Sequence, residues 1–244
     1  MTNKTLNTLK ADREAVGIAI GNNCPLIVEN VCNADIDFIL MDRQHGMWSL
    51  DNLTYACRFA YTNHVTPMVR VRKNDFSEIG HVLDRGVLGV VVPMVNTREE
   101  ALEAVYASYY PPKGGRSMGA FATSFLGENY VDQIQDNIFL GVQIETEKAI
   151  KNLKQILAVE GISGCLVGPA DLAKDLGIEN GCKEHEEIII HILKTCLEMK
   201  KIPGILGGKA KYWFEKGYKL AITGSENGYI INGLKADLQK LKSL

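Results

Sequence analysis

The sequence predicts an α/β barrel in which eight parallel strands alternate with helices. Three observations carry this prediction: the length of 244 residues, eight short apolar runs, and amphipathic stretches between them. One α/β barrel typically needs about 250 residues. The runs are apolar on both faces, which is typical of parallel strands covered by helices. Eight such units favour a closed barrel over an open sheet, with residues 1–244 as one domain.

The predicted strands are short and rich in Val, Ile and Leu; they span residues 16–20, 38–41, 67–71, 89–92, 139–144, 164–167, 203–205 and 220–223. Ser49 precedes a helical pattern over residues 50–62, and Thr97 with Glu100 forms a capping box before residues 98–106. Residues 147–159 and 186–199 are amphipathic. The longest connection, residues 109–137, contains a Pro-Pro-Lys-Gly-Gly-Arg turn, and a connection of that length often covers a site.

Composition excludes several classes of function. The formal net charge is −2, so we expect no nucleic-acid partner. No apolar run reaches the roughly 20 residues of a membrane span, and the first residues lack the apolar segment of a signal peptide. The six cysteines form no Cys-x-x-Cys pair, which argues against zinc and disulfides. We therefore expect a cytoplasmic protein with unlinked thiols.

Ionisable side chains follow several predicted strands. Asp42 and His45 follow the second strand, Arg70 lies at the end of the third, Glu145 follows the fifth and Asp171 follows the sixth. In α/β barrels the active site lies at the carboxyl ends of the strands. The sequence therefore predicts that these five side chains converge at one end of the barrel.

Two carboxylates without neighbouring Cys or clustered His suit a hard divalent cation such as Mg²⁺ or Mn²⁺. Glu145 and Asp171 are the candidate ligands, and strand alternation places Gln143 on the same face as Glu145. Two alternatives stay open, because Glu145 could cap the helix that follows and Asp171 could be an N-cap.

Asp42 and His45 are the candidate residues for proton transfer. Asp42 lies three residues before His45, and a carboxylate beside an imidazole fixes its tautomer and raises its basicity; the alternative is a structural histidine. Arg70 at a strand end requires a nearby anion if it is buried. Trp48 is either a wall of the pocket or part of the packing.

In combination, these segments resemble the HpcH/HpaI aldolase family, the class II pyruvate aldolases. The resemblance covers residues 17–234 and rests on six motifs in order: Asp42-x-x-His45-Gly46, Val69-Arg70, Leu83-Asp84-x-Gly86 with Val91-Val92-Pro93-Met94-Val95, Tyr110-Pro111-Pro112-x-Gly114, Val142-Gln143-Ile144-Glu145-Thr146, and Gly168-Pro169-Ala170-Asp171-Leu172. It implies a (β/α)8 TIM barrel of the phosphoenolpyruvate/pyruvate-binding type.

The resemblance also implies roles for matching positions. Glu145 and Asp171 would bind Mg²⁺, Mn²⁺ or Co²⁺, which pyruvate would chelate. Gln143 would lie beside the oxo group, and His45, oriented by Asp42, would serve in proton transfer. The amides around residues 168–171 would receive the substrate carboxylate, and Gly168, Pro169 and Ala170 would contact the substrate. Arg70 would stabilise the enolate, with Trp48 and Leu206 shaping the pocket.

The implied activity is reversible cleavage of a 4-hydroxy-2-oxo acid to pyruvate, or a close 2-oxo acid such as hydroxypyruvate, and an aldehyde. The resemblance also implies a homo-oligomer, a hexamer or trimer, with Asp84 near a subunit boundary. Two alternatives remain: a citrate-lyase-like acyl-CoA lyase and a non-catalytic barrel that binds an oxo acid. A Schiff-base aldolase is disfavoured because no lysine falls inside an apolar run. Gln44, Ser117 and Glu226 depart from residues common in the family.

Overall fold

The computed structural model describes residues 2–242. Its centre is a closed barrel of eight parallel strands paired in sequence order, with β8 returning to β1. The strands are β1 Ala15–Ile20, β2 Phe38–Asp42, β3 Thr66–Arg70, β4 Gly89–Val92, β5 Phe139–Ile144, β6 Gly164–Val167, β7 Ile202–Ile205 and β8 Leu220–Ser225. The predicted strands match these bounds to within two residues, so the predicted barrel is confirmed.

Helices cover the outside of the barrel. They are α1 Lys4–Lys10, α2 Pro25–Val31, α3 Leu50–Thr62, α4 Phe76–Asp84, α5 Arg98–Ser108, α6 Thr123–Leu126, α7 Tyr130–Asn137, α8 Glu147–Lys151, α9 Leu153–Leu157, α10 Pro169–Leu176, α11 Lys183–Glu198, α12 Ala210–Lys216 and α13 Glu226–Lys242. The predicted capping box of α5 is present, since Thr97 and Glu100 each accept from the other's main chain.

The helix predicted over residues 147–159 is interrupted at Asn152, which separates α8 from α9. The Asn152 side chain donates to the Asn96 carbonyl at 2.8 Å. This bond satisfies an acceptor in the neighbouring loop after β4, and Asn152 itself has φ −101° and ψ 6°. The prediction of one continuous helix was therefore wrong. The spacing of apolar residues cannot indicate the contact between Asn152 and Asn96, which are far apart in sequence.

Two buried clusters stabilise the barrel. The larger one lies between the strands and the surrounding helices. The smaller one fills the barrel interior and includes Phe38, Leu40, Met68 and Phe139. From α1, Leu6 and Leu9 join it and close the end opposite the carboxyl ends of the strands. The other end is left for polar side chains.

No helix within residues 2–242 combines the length and the apolar character needed to cross a bilayer. The long connection over residues 109–137 contains α6 and α7. It packs against the end of α4, where Arg116 pairs with Asp84 at 2.8 Å. The expectation that this connection covers a site finds no support, because the cleft described below is lined by other residues.

Candidate active site

A cleft of about 560 Å³ opens at the carboxyl ends of the strands. It reaches from the barrel interior outward between the loops after β6 and β7. Its lining residues come from β3, β5, α10, α11 and α12; they are Arg70, Gln143, Gly168, Pro169, Ala170, Asp171, Asn180, Gly181, His185, Glu186, Ile189, Leu206, Gly207, Lys209, Tyr212 and Trp213. Seven of the predicted site residues are among them.

Strand register brings Asp42 and Arg70 together. The two residues are opposite each other at the ends of β2 and β3. Arg70 donates through Nε to Asp42 Oδ1 at 2.9 Å and through Nη2 to Oδ2 at 2.6 Å. Burial alone would raise the pKa of Asp42, but Arg70 and the amides of Gln44 and His45 more than offset it and lower that pKa. Asp42 is therefore a fixed carboxylate that orients a guanidinium toward the cleft.

His45 is exposed in the loop after β2. Among the residues that the structure describes, the one hydrogen bond between Asp42 and His45 is donated by the His45 backbone amide to Asp42 Oδ1, at 3.4 Å. The structure thus pairs the Asp42 carboxylate with Arg70, where the sequence suggested pairing with the imidazole. The anion that Arg70 requires is Asp42 itself.

Glu145 lies at the end of β5 with a relative exposure of 2%. Its Oε1 accepts from the Met94 amide at 2.8 Å, and its Oε2 accepts from Gln143 Nε2. Burial raises the pKa of Glu145, the Met94 amide opposes this, and the nearby Asp171 carboxylate raises it further. A buried carboxylate under these conditions gains strongly from a bound cation.

The structure also decides the two capping alternatives. Thr146 is the N-cap of α8 and accepts from the Ala149 amide. Gly168 is the N-cap of α10, with Pro169 at the first helical turn and Asp171 within it. Glu145 and Asp171 are therefore not the N-caps of the helices that follow them.

The start of α10 lies directly against the predicted ligand and Gln143. A Cβ placed on Gly168 would lie 2.8 Å from Gln143 Nε2 and 2.9 Å from Glu145 Oε2. Only glycine leaves room for this approach. The first amides of α10 and its positive dipole end are thus brought beside the buried carboxylate, where they can receive an anionic ligand.

The oxygen donors at this site bear on whether it can hold a divalent cation. No group of three or more His, Cys, Asp or Glu side chains within residues 2–242 is arranged to hold a metal ion. A cation at this site would have Glu145 and Asp171 as its carboxylate ligands and would complete its coordination with water and substrate oxygens. The two oxygen donors and the mutual repulsion of the carboxylates fit a hard cation.

Trp48 lies away from the cleft. It has a relative exposure of 4% and packs in the larger core cluster. Its indole Nε1 donates to the Ile20 carbonyl at 2.7 Å. Of the two interpretations open for Trp48, the structure supports packing, whereas Leu206 does line the cleft.

Asp84 forms an ion pair with Arg116, whose relative exposure is 3%. Arg116 also donates to the Tyr130 hydroxyl at 2.9 Å. These contacts give Asp84 a role within its own subunit. The predicted proximity of Asp84 to a subunit boundary stays a prediction.

Two further residues near the site were not predicted. His185 has a relative exposure of 1% and lines the cleft, and its Nδ1 accepts from the Gly181 amide at 3.0 Å. Burial lowers the pKa of His185. Glu226, with a relative exposure of 4%, accepts from the amides of Gly21 and Asn22. For His185 the sequence offered no signal, and Glu226 stood out only as a departure from the family motif.

A closed (β/α)8 barrel with a buried carboxylate, an oriented arginine and a helix start at one cleft has the site of a barrel enzyme that acts on an anionic substrate. Residues 17–208 match the HpcH/HpaI aldolase/citrate lyase family. The chain belongs to this family, which confirms the resemblance drawn from its motifs.

Three relatives illustrate the match. The chain is 32% identical to the 4-hydroxy-2-oxo-heptane-1,7-dioate aldolase of Escherichia coli, over 97% of this chain and 94% of that protein. The HpcH/HpaI aldolase of Desulfitobacterium hafniense is 25% identical, with a TM-score of 0.88 over 98% of this chain and 96% of that one. Citrate synthase SbnG is 26% identical, with a TM-score of 0.89 over 99% and 98% of the chains.

Proposed function

We propose that this enzyme is a divalent-metal-dependent aldolase that reversibly cleaves a 4-hydroxy-2-oxo acid to pyruvate, or a close 2-oxo acid, and an aldehyde. The observation that carries the proposal is the buried Glu145 carboxylate, whose pKa is raised by burial and by Asp171, beside the start of α10. The name of the Escherichia coli relative supports the reaction class.

A methyl group next to a ketone is a very weak acid, so the reaction needs stabilisation of the enolate charge. A divalent cation held by Glu145 and Asp171 would supply this as a Lewis acid. The amides at the start of α10 bind the substrate carboxylate, and Gln143 contacts the oxo group. Arg70, fixed by Asp42, presents positive charge to the oxyanion.

Proton transfer falls to the loop after β2. His45 acts directly or through a water molecule. In synthesis it accepts a methyl proton of pyruvate and returns a proton to the aldehyde oxygen; in cleavage it accepts the proton of the 4-hydroxyl and returns a proton to the enolate carbon. Its exposure is consistent with a water-mediated route. Asp42 contributes by holding Arg70 and the His45 amide in place.

The experiment that tests this function is deuterium exchange into the methyl group of pyruvate, followed by NMR. Exchange with Mg²⁺, Mn²⁺ or Co²⁺ that stops in EDTA supports enolate formation at this site, and comparison of the three metals identifies the preferred one. Glu145→Gln removes the ligand charge, while Glu147→Gln changes an exposed carboxylate two residues away and is the matched control. No exchange with any metal would overturn pyruvate as the donor.

The family description, which includes citrate lyase, favours one other candidate, a citrate-lyase-like acyl-CoA lyase. A thioester site needs cationic groups for the CoA phosphates, and Lys209 lines the cleft. Calorimetric titration with acetyl-CoA separates the two candidates. Tight binding of acetyl-CoA together with absent pyruvate exchange would favour the thioester reaction.

A homo-oligomer, as a hexamer or trimer, belongs to the same proposal. Its support is an apolar face on α13, where large side chains are exposed: Tyr229, Ile230, Ile231, Leu234 and Leu238. Exposed apolar patches of this kind typically mark protein interfaces. Sedimentation velocity of the full chain tests this state, and a monomer would contradict it. A cytoplasmic location stays a prediction.

A further inference from the structure

Glu226 connects the end of β8 to the end of β1. It follows β8 directly as the first residue of α13, and its side chain turns inward with a relative exposure of 4%. Its Oε1 accepts from the amides of Gly21 and Asn22, both at 2.7 Å. Two N–H groups directed at one carboxylate oxygen make strong, charge-assisted hydrogen bonds. Glu226 thereby fixes the main chain where β1 ends.

The loop after β2 is attached to the same short stretch of β1. The Gly21 carbonyl accepts from the Met47 amide at 2.9 Å, and the Ile20 carbonyl accepts from the Trp48 indole at 2.7 Å. Gly46 packs directly against Gly21, since a Cβ there would be 2.7 Å from the Gly21 carbonyl oxygen. The chain segment that carries His45 is therefore held by the end of β1.

We propose that Glu226 is a positioning residue that sets the location of His45 through the β1 end. This inference rests on the proposed aldolase function and on the role of His45 in proton transfer. Two hydrogen-bonded steps separate Glu226 from the loop: the Glu226 carboxylate holds the Gly21 amide, and the Gly21 carbonyl holds the Met47 amide.

The burial of Glu226 supports a positional role over a purely stabilising one. Its Oε2 is buried and has no hydrogen-bond partner among the described residues. An unsatisfied buried carboxylate oxygen lowers stability. Burial of the unpaired Oε2 therefore costs stability, while Oε1 accepts from the two amides of Gly21 and Asn22.

The test measures kcat and KM for pyruvate deuterium exchange, with metal affinity by calorimetry. In Glu226→Ala, kcat should fall about 10- to 100-fold, the usual effect of misplacing a reacting group slightly. KM for pyruvate and the Mn²⁺ affinity should stay within about twofold, because Glu145 and Asp171 are untouched. Glu226→Gln keeps an oxygen acceptor of the same length and should recover most of kcat.

The matched control is Asn227→Ala. It breaks the 3.0 Å bond from Asn22 to Asn227, which joins the same two loops but leaves Gly21 alone, so kcat should not change. Trp48→Phe removes another contact between the loop after β2 and the end of β1, the indole hydrogen bond to the Ile20 carbonyl. This variant should also lower kcat without changing KM or the Mn²⁺ affinity. In the double variant with Glu226→Ala, the loss of kcat should be smaller than the product of the two single losses.

Three results would overturn the inference: parental kcat in Glu226→Ala, an equal loss of kcat in Asn227→Ala, or a fall in metal affinity that accounts for the lost activity. A purely structural role would lower the melting temperature of Glu226→Ala without the selective loss of kcat. Absence of exchange in the parent enzyme with every metal would instead be a failure of the proposed function.

Discussion

Arg70 and Asp42 form a two-point ion pair across neighbouring strands, with N–O distances of 2.9 Å and 2.6 Å. The pair follows from strand register, because both residues occupy the last positions of their strands. Each lies two residues after a member of the interior cluster, Leu40 or Met68, and so is on the interior face. Neither side chain can turn away without leaving the other partly buried and uncompensated. Arg70 is therefore a preorganised cation at the base of the cleft.

This geometry sets an expectation for Arg70 variants. Arg70→Ala should lower kcat for aldol cleavage about 100- to 1000-fold, the effect of losing one preorganised donor to an oxyanion. Arg70→Lys keeps the charge but loses the two-point geometry, so its kcat should be intermediate. Steady-state kinetics measures both. Lys73→Ala, an exposed lysine just beyond β3, should match the parent, and unchanged kcat in Arg70→Ala would contradict the assignment.

Metal binding should depend on two carboxylates, Glu145 at the end of β5 and Asp171 in the first turn of α10. Glu145→Gln and Asp171→Asn should each weaken Mn²⁺ binding by more than the roughly 10- to 100-fold seen when a ligand loses a hydrogen-bond partner. Each change removes a ligand charge. Calorimetry with Mn²⁺ measures the affinity, with Glu147→Gln as control. Parental affinity in Asp171→Asn would remove Asp171 from the ligand set.

The fold could be predicted from sequence because its signals are local. A run such as residues 139–144 is apolar on both faces and short, which is typical of a strand covered on both sides. Side chains alternate along a strand, so Gln143 lies on the same interior face as Phe139. Leu166, opposite Gln143 on β6, also belongs to the interior cluster. The motif at residues 168–171 likewise places Asp171 in the first turn of a helix.

The partners of the site residues were harder to predict, because they depend on strand register and loop packing. Asp42 is three residues from His45 in sequence, yet its partner is Arg70, 28 residues away. Trp48 is close to the site in sequence but hydrogen-bonds to Ile20 in the core. Glu226 reaches Gly21 only because the barrel closes β8 onto β1.

The raised pKa of Glu145 has a consequence for stability without metal. Because burial raises this pKa in the folded state, the folded protein binds the proton more tightly than the unfolded chain does. The resulting stabilisation is present below the ordinary value of 4.5 and is lost as the pH rises through the folded-state pKa. In EDTA at about pH 8, Glu145 is thus a buried charge that lowers stability.

Glu145→Gln removes this charge, so its melting temperature in EDTA should exceed that of the parent near pH 8. The difference should shrink as the pH falls toward 4.5, and Mn²⁺ should raise the melting temperature of the parent but not that of Glu145→Gln. Differential scanning fluorimetry over a pH series measures this, with Glu147→Gln as the exposed control. A variant that is less stable than the parent at every pH would contradict the burial argument.

Gly46 and Gly80 differ in whether the surrounding structure leaves space for a side chain. At Gly46 a Cβ would lie 2.2 Å from the Asp42 carbonyl oxygen and 2.7 Å from that of Gly21, and both are backbone atoms. The loop must therefore shift, so Gly46→Ala should lower the free energy of unfolding by about 1–3 kcal/mol and displace His45. At Gly80, within α4, a Cβ meets nothing within 4 Å.

Gly80→Ala should accordingly raise the free energy of unfolding by about 0.5–1 kcal/mol, since alanine restricts the unfolded chain and favours the helix. Urea unfolding gives both values, and the exchange assay gives kcat for each variant. Gly46→Ala should lose activity while Gly80→Ala keeps it. If Gly46→Ala were as stable and as active as the parent, the loop after β2 would have room to move, and its tight attachment to β1 could not be what places His45.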